Sequence, residues 1–404
     1  MMRLRTRTTL LLLGLFLVLA AALVLWPVPG TVDIRTTDAP VQDWAKLDIS
    51  EDAYYVGEPS SVEEVQRTVR YAVEAGLPLR IRGRGHSTNA SSLPRADELL
   101  LVTQNLTHFR ALDADTLVVG SGKTLFGVRQ WLANYGYGLP VYNMGEVGPS
   151  IGGYISAGGI GLGSAEHGGF WENVRWLGLV DGQGRYRRVE RDDPLFPWLF
   201  GSMGQLGVIV EAAMRIVPIQ GAPQQSLPRS GRIPSWGDAR PGLYERYQET
   251  YRSFRMYSVA LFVPEGAEAH AQADLHAFFE PYETVFQLRR TLVLPIRFQS
   301  FQPPLLFPRN EAFTAVGIEF VPREAAHAEM AFAVEDAFAD FVEERGYRRY
   351  IQMELARDPR AIADYFGPAT WEAFYEVKQQ LDPHGLFGQG LFETTRRGDQ
   401  PSAK

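Results

Sequence analysis

The sequence predicts an α+β protein in two parts, preceded by an apolar N-terminal helix, and three observations lead there. Strand-like runs and helix-like periodicities occur together on both sides of residue 220. From Gly221 to Gly242 the chain is rich in Pro, Gly, Ser and Arg, which reads as a connection between parts. Behind Arg3, Arg5 and Arg7, the 17 residues from Leu10 to Trp26 carry no charge.

That apolar run sits at the short edge of a membrane-spanning helix and also suits a signal peptide. Cutting after Ala20–Ala22 would leave Leu23-Val24-Leu25-Trp26-Pro27 as a new apolar terminus, so residues 1–30 are expected to stay as an anchor. Trp26 fits an interfacial aromatic, and Pro27 and Pro29 end the helix. The leading arginines then place the rest of the chain on the outer, periplasmic or extracellular, face.

The body follows in order. Residues 31–57 form a polar lead-in without a strong period. Ser61 opens a helix with Glu64 at capping-box spacing; Val62, Val65, Val69, Ala72 and Val73 trace its apolar face, and Gly76 closes it. A strand over Leu77–Arg82 runs into Arg82-Gly83-Arg84-Gly85-His86-Ser87-Thr88-Asn89. Leu99–Thr103 and Thr116–Val119 read as strands and Leu125–Asn134 as a helix. Strands at Val174–Val180 and Tyr186–Glu190 flank the turn Asp181–Gly184, and Val208–Val217 is another strand, ended by Pro218. Past the connection lie strands at Met256–Val263, Ala315–Val321 and Tyr350–Leu355, with helices around Glu324–Gly346 and Pro368–Leu381.

Composition narrows the function. A net charge of −7 without a basic block makes a nucleic-acid partner improbable. With no cysteine, disulfides, thiolate metal sites, iron–sulfur clusters and cysteine nucleophiles are excluded. His86, His108, His167, His270, His276, His327 and His384 include no i,i+4 pair, so no metal site is expected. Gly120-Ser121-Gly122-Lys123-Thr124 imitates a phosphate-binding P-loop but has Leu117 where the first glycine belongs. The dinucleotide fingerprint also fails, because Thr88 stands where Gly83 and Gly85 need a third glycine.

What remains is glycine. Ten of the 25 positions from Gly145 to Gly169 are glycine, out of 39 in 404 residues, so backbone there can approach a flat ligand closely. The loop Arg82–Ser87 offers a nest of N–H groups suited to a diphosphate. Gly201–Pro218 adds a glycine turn running into an apolar strand.

In this order, and with Leu381-Asp382-Pro383 near the C-terminus, these pieces resemble the vanillyl-alcohol-oxidase superfamily of FAD-binding oxidoreductases over residues 50–220 and 370–395. The motifs RGRGHS, HGGFWENV (His167–Val174) and GQLGVI (Gly204–Ile209), with the ending Trp371…Lys378…Asp382, are most similar to cytokinin dehydrogenases. The short length is similar to alditol and aldonolactone oxidases. The resemblance implies a two-part FAD-binding domain of the PCMH type (50–220 and 366–395) with an α+β substrate domain inserted at 221–365. It implies covalent attachment of FAD through His86, by a neutral imidazole nitrogen. It implies FAD contacts at Arg82, Gly83, Arg84, Gly85, Ser87, Ser150, Gly152, Gly153, Ser156, Ile160, Ile209 and Gln389.

Where cytokinin dehydrogenases carry a catalytic aspartate this chain has Gly145, with Glu146 beside it. Candidate catalytic groups are therefore Glu146 and, in the inserted part, Glu319, Gln352 and Glu354. Glu319 is a carboxylate in an otherwise apolar strand, and the period of a strand puts Tyr350, Gln352 and Glu354 on one face. The expected reaction takes a hydride from a substrate CH–OH of polyol or aldonolactone type onto flavin N5. Oxygen or a membrane electron carrier then serves as acceptor. Oxidation of a cytokinin-like amine and a catalytically silent, membrane-anchored flavin-binding module are the alternatives.

Overall fold

A computed structural model describes residues 33–44, 46, 49–143, 148–234, 256–306, 312–351 and 365–387. The apolar N-terminal helix, Glu146, Gln352, Glu354 and Gln389 lie outside these residues. Within the unit that begins at Ile34, the described strands form three larger sheets and two two-stranded ribbons.

The first sheet joins β1 (Ile34–Thr37), β2 (Tyr54–Gly57), β3 (Leu79–Arg82) and β4 (Leu99–Val102) in the order β1-β2-β4-β3. β4 lies parallel to both β2 and β3, and every one of its residues is buried, as a parallel strand covered on both faces requires. The crossover from β2 to β3 is α1 (Val62–Ala75), which buries Val65, Val69 and Ala72. Its N-terminus departs slightly from the expected box. Ser61 Oγ accepts from Glu64 N, but the Glu64 carboxylate reaches back to Ser60 N. Gly76 ends the helix in the left-handed region at φ 65°, and an added Cβ would meet nothing within 4 Å. Gly76→Ala is therefore expected to cost about 1–2 kcal/mol through backbone conformation alone, read as a lower urea midpoint with an unchanged m-value.

The second sheet is antiparallel and six-stranded: β5 (His108–Ala111), β6 (Thr116–Gly120), β7 (Val174–Val180), β8 (Tyr186–Glu190), β9 (Val208–Arg215) and β10 (Ser230–Arg232), ordered β8-β7-β9-β6-β5-β10. Between β6 and β7 the chain forms α2 (Leu125–Ala133), α3 (Ile151–Ser156) and α4 (Ser164–His167). The P-loop lookalike packs here. A Cβ on Gly122 would stand 2.0 Å from the Thr103 carbonyl oxygen, Lys123 Nζ donates to Pro234 O, and Thr124 caps α2. These glycines serve close backbone packing.

The third sheet, β11 (Tyr257–Pro264), β12 (Phe286–Ile296), β13 (Phe313–Pro322) and β14 (Arg348–Arg349), is antiparallel in the order β12-β13-β11-β14. One face, with Val259, Leu261, Val316, Ile318 and Phe320, packs on α5 (Glu268–Phe279) and α6 (Met330–Arg345). The other face turns toward the second sheet's glycine-rich tract. Of the strand expected at Tyr350–Leu355, only Tyr350 and Ile351 are among the described residues; pairing occurs just before it, at Arg348–Arg349, and Tyr350 N donates to Ala260 O. Mixed helices and strands on both sides of residue 220 agree with the α+β expectation.

Helix α7 (Pro368–Leu381) matches its sequence reading and brings the C-terminal segment back onto the first two sheets. Leu386 O accepts from Leu79 N, Leu381 O accepts from Gly182 N, and Leu386 and Phe387 join the core of α1, β3 and β4. A buried ion pair fixes the return. Lys378 Nζ donates to Asp382 Oδ2 (2.8 Å) and to Gln205 O (2.8 Å), and Asp382 accepts from Leu386 N and Phe387 N.

Candidate functional site

A cleft of about 740 Å³ opens between the glycine loops and the third sheet, within the usual range for a ligand pocket. The loop after β3 contributes Gly83, Arg84, Gly85, His86 and Ser87; α3 and the turn beyond it contribute Ser150, Gly152, Gly153, Ser156 and Ile160; β9 contributes Ile209. Three pieces of chain far apart in sequence thus converge as expected. Arg82 does not line the cleft: its guanidinium donates to Gln42 O (2.7 Å) and to Ser92 Oγ, and so ties the loop to the N-terminal lead-in.

Each loop is held by interactions the residue types dictate. Gly85 takes φ 66°, which lets the loop turn beneath the Arg82 side chain. Ser150 N-caps α3 by accepting from Gly153 N, while Ile151 N and Gly152 N donate to Lys123 O and Ser121 O. The cap and those carbonyls occupy the first N–H groups of α3, so that helix end is closed by protein.

His86 stacks on Trp44, with ring centroids 4.6 Å apart and planes 17° from parallel. Sequence reasoning missed Trp44, whose one signal is a tryptophan in a polar segment. The segment is clamped in place: Trp44 N donates to Ser87 O and the Asp43 carboxylate accepts from Ala90 N. Enclosure by protein depresses the His86 imidazole pKa to about 4, so the ring is neutral at physiological pH. An unfolded histidine protonates near 6.5, so between roughly pH 4 and 6.5 the unfolded chain binds the extra proton. Stability contributed by this group is present above pH 6.5 and lost as pH falls toward 4. His86→Gln should flatten that part of the urea-midpoint profile; an identical slope in both proteins would show that other groups cause it.

Across the cleft stands one face of the third sheet. Glu319 lies on it, buried, and both its oxygens accept from Arg290, at 2.5 Å from Nε and 2.7 Å from Nη2. Burial of a carboxylate requires such a partner. Sequence reasoning missed Arg290, because a register shift between Leu288 and Arg290 sets its pairing with Glu319. Tyr350 also lines this wall, its hydroxyl donating to Ala157 O (2.5 Å). Among the described residues no cluster of His, Asp and Glu could hold a metal ion.

The cavity fits a flat dinucleotide. Gly153 and Gly204 both line it, and ideal Cβ atoms there would meet protein no nearer than 3.1 and 3.5 Å. Side chains at those positions would therefore fill the cradle that their absence leaves to a ligand. Fold and site define a cleft between the glycine loops and the third sheet with room for a flat cofactor. Residues 53–190 match the FAD binding domain family. The chain is 30% identical over 186 residues to D-arabinono-1,4-lactone oxidase of Saccharomyces cerevisiae, covering 44% of this chain and 34% of that protein. It is 28% identical over 174 residues to D-lactate dehydrogenase of Archaeoglobus fulgidus (41% and 39%). A third relative, FAD-linked oxidoreductase penO of Penicillium crustosum, is 28% identical over 142 residues (35% and 31%). Residues 53–190 of the chain thus form an FAD binding domain, and FAD is its cofactor. The chain spans about a third of the length of these curated relatives.

Proposed function

We propose that the protein is an FAD-linked oxidoreductase that oxidises a substrate CH–OH, and that polyols and aldonolactones are the compounds to try first. The observation that carries this is the opposition of two walls in one cleft: the glycine loops with neutral His86 on one side, the Glu319–Arg290 pair on the other. Bound FAD supplies a two-electron acceptor at N5. The chain supplies the rest. Gly83, Gly85, Gly152 and Gly153 let backbone close on the cofactor, and His86 is the residue that would bond it covalently. Arg290 fixes the Glu319 carboxylate through two hydrogen bonds where it would face a substrate hydroxyl, and the enclosed cleft excludes water from the reacting carbon. The relative named for a lactone supports the substrate class, and the two named as oxidase and dehydrogenase support the reaction.

The apolar run Leu10–Trp26 behind three arginines is the reason to propose a membrane anchor, an outer-face location and a membrane electron carrier beside oxygen. Among the described residues no helix is long and apolar enough to cross a membrane. Anaerobic mixing with a panel of polyols, aldonolactones and amines tests the reaction: a hydroxyl compound should bleach the flavin. Bleaching by amines alone would replace the CH–OH reading.

A further inference from the structure

The wall opposite the glycine loops has a register that sorts its side chains. Strand pairing aligns three rows across β12, β13 and β11: Arg290–Glu319–Ser258, then Leu292–Gly317–Ala260, then Leu294–Ala315–Phe262. All of these except Phe262 line the cleft. Within these three rows polarity is confined to one end; the Tyr350 hydroxyl beside the other rows is already given to Ala157 O.

At that end the Glu319 carboxylate has given two acceptor positions to Arg290, and of the roughly four lone-pair sites a carboxylate offers, about two remain. Beside it Ser258 is buried, and among the described residues its hydroxyl has no protein partner. Donor and acceptor capacity for a pair of neighbouring hydroxyls is present there. Along the next two rows it is absent: Leu292, Gly317, Ala260, Leu294 and Ala315 offer no side-chain hydrogen bond. A hydroxyl laid on them would lose its water without replacement.

We propose that the substrate is amphipathic, with a hydroxylated head such as a vicinal diol or hydroxy-lactone on the Arg290–Glu319–Ser258 row and a carbon-rich body along the two apolar rows. Ser258 is the residue that specifies the second hydroxyl of the head. This rests on the CH–OH reading and narrows it, because it excludes polyols hydroxylated along their whole length.

The test is calorimetric binding to the full-length, FAD-loaded chain, which needs no turnover. The probes are 1,2-hexanediol and a hexitol, equal in carbon number, with 1,2-butanediol, 1,2-octanediol and 1-hexanol. The hexanediol should bind about tenfold or more tightly than the hexitol. Each added methylene should tighten the diols about fourfold, the equivalent of about 0.8 kcal/mol per buried CH₂. Ala260→Asp should erase the length dependence, and Ser258→Ala should weaken the diols while leaving 1-hexanol unchanged. A hexitol that binds as tightly as the diol, a flat length series, or no binding by any diol overturns the proposal. Failure of the flavin reading shows separately, as a chain without visible flavin absorbance in the same samples.

Discussion

Asp382→Ala is expected to lower stability by about 3–5 kcal/mol, because it leaves the Lys378 ammonium buried without its counter-charge. Lys378 and Asp382 are 2% and 0% exposed, so solvent cannot take over the lost role. Burial already pushes the Lys378 pKa down, and Asp382 is what pulls it back. The same carboxylate accepts from Leu386 N and Phe387 N, so its loss also orphans two backbone donors. Replacing the pair together, as Lys378→Met with Asp382→Leu, should recover part of the loss and no more, since those two N–H groups stay without an acceptor. Urea unfolding of the three proteins checks this. Since Lys378 also donates to Gln205 O, the single variant should retain FAD less well.

Gly83→Val carries the second large effect, and it acts on the cofactor rather than on the fold. An ideal Cβ at Gly83 would stand 2.0 Å from Ser150 Oγ and 3.1 Å from Ser150 Cβ. A branched side chain must push the loop after β3 away from the start of α3, two of the pieces whose close approach makes the cleft. Purified Gly83→Val should keep its far-ultraviolet spectrum and lose about tenfold or more of its flavin occupancy, as misplacement of a preformed site implies. Full occupancy in that variant would place the cofactor elsewhere.

Much of this architecture is legible in the sequence where one local signal decides it. Ser61, Glu64 and Gly76 bracket α1, and Val174–Val180 and Tyr186–Glu190 are found to the residue around their turn. The cleft is legible through its glycines, because a backbone that must approach a ligand leaves no other residue type available. Three features escape for physical reasons. Strand β12 is half-exposed along most of its length, and its pair of arginines and Pro295 break the alternation that announces a strand. Arg82 reads as a cofactor ligand from its place in the loop, yet whether a guanidinium faces a cleft or Ser92 depends on tertiary packing. Arg290 and Ser258 join Glu319 only through cross-strand register, a relation between segments far apart in the chain.

The most direct measurement is the visible spectrum of the purified full-length chain, taken before and after added FAD and again after acid precipitation, with His86→Ala alongside. A yellow protein is predicted, with colour retained in the wild-type pellet and released to the supernatant by His86→Ala. Colour released from the wild type would remove the His86 bond and leave the FAD cleft standing. A colourless chain that takes up no added FAD would contradict the cleft as a flavin site altogether.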